Sequence, residues 1–253
     1  MSLLDYRVDD LAIPKYAFQY MFSRVKTLTN ASNLLLPSKT LATSCYRYMF
    51  SGCSSLTKAP ELPATTLANS CYAHMFNDCS SLTKAPELPA TTLVISCYLY
   101  MFSGCSSLTK APELPATTLA TGCYAYMFSG CSSLTKAPEL PEATTSQCFN
   151  YMFQNCTKLS EVVYTGATFV SRGRFTSWLS GASSTGTFYY TNQDLDISKI
   201  PRTTNGVPEG WEIKYGRPST KMTFQISGKT VNTLYLNGKA VKTLFVNGKK
   251  IYG

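Results

Sequence analysis

Ten cysteines are the residues with the most chemistry to offer, and they fall into two columns. One holds Cys45, Cys71, Cys97, Cys123 and Cys148; the other holds Cys53, Cys79, Cys105, Cys131 and Cys156. Seven residues separate the members of each pair, whereas a zinc site wants pairs about two to four apart. Disulfides need an oxidising compartment, and neighbours in a column fall near bridging distance, so geometry leaves them open. Cysteine as a small buried residue is the reading adopted. A nucleophilic cysteine needs a base, and the one histidine, His74, stands in a column otherwise held by Tyr20, Tyr48, Tyr100, Tyr126 and Tyr151. It reads as a substitution in an aromatic ladder. Ser227-Gly-Lys-Thr230 ends like a phosphate-binding loop, but the earlier glycine that loop requires is Thr223. Asp194 and Asp196 are two carboxylates without a full calcium ligand set. The chain therefore offers no catalytic residue, metal site or cofactor site, and is expected not to be an enzyme.

These columns exist because the chain repeats itself. Cys97-Tyr-Leu-Tyr-Met-Phe-Ser-Gly-Cys105-Ser-Ser-Leu-Thr-Lys-Ala-Pro-Glu-Leu-Pro-Ala-Thr-Thr-Leu119 recurs almost word for word from Cys45, Cys71 and Cys123 at a period of 26. A degenerate copy starts at Cys148, and an earlier one around Ala17 to Leu28 keeps Tyr20-Met21-Phe22 with Ala17 and Val25 in the cysteine places. The substitution says those places want a small buried group rather than sulfur. A fixed period of this length predicts a solenoid.

Within the unit at 65–90, Thr65-Thr66 reads as a helix cap and Leu67 to Asn77 as about three helical turns. Cys71 with Met75, and Tyr72 with Phe76, make an apolar arc at a spacing of four. The residue before the second cysteine is Gly52, Asp78, Gly104, Gly130 or Asn155, with Arg24 in the first unit. Gly, Asp and Asn tolerate left-handed backbone, so this column reads as the helix stop. Leu82, Ala85 and Leu88 then alternate with Pro86 and Pro89, a brief strand with inter-repeat pairing near Ser81 to Lys84. Strands about 4.8 Å apart opposite helices about 8–10 Å apart predict a curved stack, strand side inward.

The pattern Met-Phe-x-x-Cys-x-x-Leu-x-x-x-x-x-Leu-Pro-x-x-x-Leu resembles the BspA-like leucine-rich repeats, a family of variable bacterial and phage surface proteins. The resemblance covers about residues 15–165 in five good units; Ala85-Pro86 replaces the family's usual aliphatic, which bears on the length of the sheet. The expected fold is an α/β repeat solenoid, a short right-handed leucine-rich-repeat-like arc of six turns over residues 1–160. Asp5, Asp9 and Asp10 belong to its N-terminal cap.

Residues 161–216 break the period and are expected to cap the stack, with Phe175, Trp178, Phe188 and Trp211 covering the last repeat. A tryptophan used as a sugar platform is the competing reading. Beyond the linker Gly216-Arg-Pro-Ser-Thr220, the pairs Ser227-Gly228, Asn237-Gly238 and Asn247-Gly248 fall ten apart, each followed by Lys. They predict an antiparallel β-meander over 221–253. Too small to stand alone, it is read as an attachment or oligomerisation module, with Tyr235, Lys239, Phe245 and Lys249 as its contact residues. The meander with its Gly-Lys turns resembles C-terminal modules of phage structural proteins.

The net charge of +9 invites a nucleic-acid reading, but each repeat balances Lys58, Lys84, Lys110 or Lys136 with a Glu three residues on. The excess lies after Thr220, where lysines protect strand edges. No specific nucleic-acid partner and no membrane span are expected; the longest apolar runs are far short of about 18 residues. Two faces are candidate ligand surfaces: the lysine and threonine stripe, and the tyrosine column of Tyr48, Tyr100 and Tyr126.

The expected function is a non-enzymatic recognition or decoration protein at a virion surface, made in the host cytoplasm. Its partners would be other virion proteins or a host cell-surface glycan or protein, and a homo-oligomer is possible on the same reading. The absence of a basic-then-apolar leader in Met1 to Asp10, the thiol-rich repeats and the lysine turns motivate it. A secreted bacterial cell-surface adhesin of the same repeat family is the alternative.

Overall fold

The structure, a computed structural model, describes residues 13–170, 173–203 and 205–218, and the strand backbones at 223–226, 229–232, 235–236, 239–240, 244–246 and 249–252. Asp5, Asp9, Asp10 and their expected cap lie outside these residues. The chain divides into two units, Met1–Arg217 and Pro218–Gly253.

The first unit is a repeat solenoid, but the segment expected to be helical is not a helix. Almost no helix is present among the described residues; a three-residue 3₁₀ turn at Ile197–Lys199 is one. Where the helix was expected, the backbone turns left-handed at every fourth residue: Ser44, Tyr48 and Gly52 have φ of 53, 59 and 76°, and Ser70, His74 and Asp78 have 56, 57 and 59°. Alternate amides close tight turns within the layer, as Arg47 N–H does to Ser44 C=O and Met49 N–H to Tyr46 C=O. The amides between them leave the layer: Tyr46 N–H reaches Cys71 C=O at 3.0 Å, Tyr48 reaches Ala73 at 3.0 Å and Phe50 reaches Met75 at 2.9 Å.

An α-helix sends its amides to the carbonyl four residues back. This ribbon of turns instead divides its donors between its own layer and the next. It satisfies the same buried groups while letting identical words stack in register. Each non-glycine residue at positive φ costs about 1–2 kcal/mol, a cost the inter-layer bonds and packing offset. The left-handed column of Gly52, Asp78, Gly104, Gly130 and Asn155 is present as expected, but Arg24, at 62°, shares it. It is one of three left-handed columns rather than a helix stop.

Burial follows the same four-residue beat. Cys45 and Tyr46 are buried, Arg47 and Tyr48 half-buried, Met49 and Phe50 buried, Ser51 and Gly52 half-buried, Cys53 buried. Stacked copies build continuous ladders. Phe22, Phe50, Phe76, Phe102, Phe128 and Phe153 stack at 5.4–5.7 Å between ring centres. Phe18, Tyr46, Tyr72, Tyr98, Tyr124 and Phe149 stack at 5.6–6.0 Å.

On the opposite side, pairing in the repeats is as brief as the prolines predict: single parallel bridges join Asn30 to Lys58, Lys84 to Lys110, Thr40 to Thr66 and Thr92 to Thr118. It lengthens C-terminally into a parallel sheet of β1 (Lys136–Leu140), β2 (Glu161–Tyr164), β3 (Gly186–Tyr190) and β4 (Trp211–Tyr215), in that order. The β1–β2 register shifts between Lys136 and Glu139, the interval that contains Pro138, which has no N–H to donate.

The sequence words end near residue 160, but the stacking does not. Val162 pairs with Phe188, and Phe188 with Ile213. Phe175 packs on Phe149 and Trp178 on Phe153. Both indoles are buried and their N–H groups engaged, Trp178 Nε1 to Gly206 C=O at 2.6 Å and Trp211 Nε1 to Ser183 C=O at 2.8 Å. Neither can serve as an exposed sugar platform.

In the second unit, β5 (Thr223–Ile226) pairs with β6 (Lys229–Asn232), β7 (Tyr235–Leu236) with β8 (Lys239–Ala240), and β9 (Leu244–Val246) with β10 (Lys249–Tyr252), all antiparallel. These are three separate two-stranded sheets; strand pairing between hairpins, which a meander requires, is not found among the described residues. The turn dipeptides at 227–228, 237–238 and 247–248 lie outside those residues, as do the side chains of Tyr235, Lys239, Phe245 and Lys249.

Candidate binding groove

The two proposed ligand faces differ in what they leave free. Tyr20, Tyr48, His74, Tyr100, Tyr126 and Tyr151 stack face to face at 4.2–4.7 Å, within 7–16° of parallel. Each ring spends its faces on its neighbours. Tyr48, Tyr100 and Tyr126 therefore present edges and hydroxyls, not the open faces that sugar stacking uses. Burial pushes the Tyr126 phenol upward, and bonding to the Tyr100 hydroxyl adds to it. His74 fits the ladder as a ring among rings. Desolvation, then the nearby Arg47 guanidinium, holds its imidazole down at about 4, so it is neutral at physiological pH. Arg47 itself lies 5.0 Å from the centre of the Tyr48 ring.

The cysteines are all free and all buried. The second column does more than fill space. Cys79, Cys105, Cys131 and Cys156 each donate S–H to a phenylalanine carbonyl of the preceding layer, Phe50, Phe76, Phe102 and Phe128, at 3.0–3.2 Å. Burial drives the thiols up, Cys45 to about 11 and Cys71, Cys123 and Cys156 to about 12. A thiol held protonated and enclosed is a poor nucleophile and a poor metal ligand. The Asp196 carboxylate is taken up by its own turn, accepting from Ser198 N–H and Oγ–H and pairing with Lys199 at 3.1 Å.

The lysine face, by contrast, carries an open groove of about 720 Å³. Its walls are residues 57–63 of one layer and 83–89 of the next. Proline explains the hollow. Pro60, Pro63, Pro86 and Pro89 remove amide donors. Among the described residues the bridges nearby join Asn30 to Lys58 and Lys84 to Lys110, none joins 57–63 to 83–89, and the backbone leaves a furrow between these two segments. The charged residues Lys58, Glu61, Lys84 and Glu87 are exposed, while Pro60, Leu62, Ala85 and Leu88 are buried. A smaller hollow of about 40 Å³ continues the groove onto Lys110, Pro112 and Glu113.

Lys136 is set apart from the other three lysines. It pairs with Glu161 of the next layer at 3.1 Å, and Glu139 pairs with Arg217 at 2.8 Å. Among the described residues, Lys58, Lys84 and Lys110 have no carboxylate within ion-pair distance, their own unit's Glu included. The expected neutral pairing inside each unit is therefore not a contact; it is two parallel columns, Lys on one side and Glu on the other. Sequence reasoning named the glutamates and prolines but did not count them in the ligand face, although Lys-Ala-Pro-Glu-Leu-Pro brings them together in four units.

No characterised protein and no solved structure matches the chain. The model of the BspA type leucine rich repeat region matches it in six copies, over residues 12–110 and 69–177. That span holds all three aromatic ladders and the whole groove. The chain belongs to the BspA-type leucine-rich-repeat family.

Proposed function

We propose that this chain is a non-enzymatic, surface-exposed repeat protein of adhesion type, which recognises its partner along the proline-floored groove. The observation that carries this reading is the groove itself: an apolar floor with exposed Lys and Glu columns that recur layer by layer. Curved or straight, a solenoid offers such a face to repetitive or extended ligands. The family supports the surface role, and it accommodates a bacterial cell-surface adhesin at least as well as a virion decoration protein. The hairpins after Pro218, with Lys239 and Lys249 on their strands, are the proposed attachment or oligomerisation module. Other virion proteins, or a host cell-surface glycan or protein, are the proposed partners.

Two measurements test this. Labelled full-length chain should bind target cells in flow cytometry, and Lys84→Glu with Glu87→Lys should lower that binding at least tenfold while leaving circular dichroism unchanged. Equal binding by that variant would remove the groove from the proposal. Mass spectrometry of purified virions and of bacterial envelope fractions distinguishes the two locations.

A further inference from the structure

The groove's charge pattern is self-complementary, and this selects its occupant. It rests on the reading of the groove as a recognition face. Lys58, Lys84 and Lys110 form one column, one lysine per layer, with a backbone bridge between Lys84 and Lys110. Glu61, Glu87 and Glu113 form a second, three residues further along each layer. All six are exposed. A matching partner must present Glu opposite Lys and Lys opposite Glu, at the same rise and over the same three layers. A second copy of this chain does so by construction.

We infer that two copies associate through this groove about a two-fold axis parallel to the stack. Such an axis exchanges the two sides of the facing surface and leaves heights unchanged. The Lys column of each copy then meets the Glu column of the other, layer against layer. A two-fold axis across the stack keeps the sides and sets Lys against Lys, so the pattern also rejects the antiparallel dimer. The fourth layer sets the limit of the patch, because Lys136 and Glu139 are already paired within the chain, with Glu161 and Arg217. The half-buried apolar residues lining the groove, Ala59, Pro63 and Pro86, are the area such contact would cover.

Sedimentation equilibrium of the full chain tests this at low ionic strength, where exposed charges are least screened. The wild type should be a dimer that dissociates as salt rises. Lys58→Glu, Lys84→Glu and Lys110→Glu together should weaken association at least tenfold, as should Glu61→Lys, Glu87→Lys and Glu113→Lys together. An equimolar mixture of the two triple variants should recover the dimer. So should the chain carrying all six substitutions, because a full swap remains self-complementary. A foreign ligand would not survive that swap, so the six-fold variant separates the dimer from recognition of other molecules. A wild type that stays monomeric at about 0.1 mM overturns the inference, as do triple variants that dimerise like the wild type. Loss of cell binding in a monomeric wild type's groove variants would leave the recognition reading standing without it.

Discussion

Removing one oxygen atom should make this protein more stable. Tyr98 sits in the ladder between Tyr72 and Tyr124, ring centres 6.0 and 5.9 Å away, and is 1 % exposed. Its hydroxyl is buried and has no hydrogen-bond partner. A buried unsatisfied hydroxyl costs about 1–3 kcal/mol. Tyr98→Phe removes that cost and keeps the ring and its stacking, and the hole left by one oxygen returns part of the gain. The net expectation is about +1 kcal/mol, or a Tm rise of about 2–4 °C for a chain of this size. The ladder already accepts the replacement, since Phe18 and Phe149 occupy the same column. Urea unfolding of the full chain, followed by far-UV circular dichroism, measures it, with an unchanged m-value as the check that only stability moved. A loss of about 0.5 kcal/mol or more refutes the reasoning, and would mean that the hydroxyl has a partner such as a buried water.

Two further outcomes follow from the turn ribbon and the ladder. Gly104→Ala should cost more than Gly173→Ala: both have φ near 75°, but a Cβ at Gly104 runs into Asp78, whose Cα lies 3.3 Å away, and at Gly173 it meets nothing within 4 Å. Left-handed strain alone is about 1–2 kcal/mol, so thermal melts should separate the two, and equal losses would remove the close approach from the account. His74→Tyr should flatten the acid limb of stability. The native imidazole is held down at about 4 against an ordinary 6.5, so its stabilisation is present above pH 6.5 and is lost as pH falls toward 4, where the unfolded chain takes up the proton first. Unfolding midpoints from pH 7 to 4 should fall less steeply for the variant; parallel profiles would refute the assignment.

The layers were legible in the sequence and the path of the backbone within them was not. A word repeated every 26 residues fixes which side chains stack on which, and the buried set of Cys, Met, Phe and Leu follows. The helix reading failed on arithmetic. Cys71 with Met75 and Tyr72 with Phe76 are four apart, which suits a helix of 3.6 residues per turn and equally suits a ribbon that turns every four. Over the nine residues from Cys71 to Cys79 the two periods diverge by only about 0.8 of a residue, less than one position. Only a residue such as Asp78 or Gly104 hints at left-handed backbone; Tyr48 and Tyr100, at φ of 59 and 54°, give no sign of it. The lysine column of the groove was legible and its pairing was not, because three-residue spacing in an extended segment places Lys and Glu side by side rather than in contact.

The turn ribbon also explains why near-identity of the repeats matters physically. In a helix-based repeat each unit satisfies its own backbone, and neighbours share only side-chain packing. Here half of the amides on the turn side belong to the next layer: Gly104 N–H bonds Ser129 C=O at 2.7 Å and Phe102 N–H bonds Met127 C=O at 2.9 Å. A unit that fell out of register would orphan those donors against a dry core of Cys, Met and Phe, and each buried orphan costs about 1–3 kcal/mol. The Cys S–H to Phe C=O bonds cross the same interfaces. Register, once set, is therefore locked by the backbone. That locking carries the Lys and Glu columns through three layers in the same register, the condition for any partner to read them as a line rather than as separate charges.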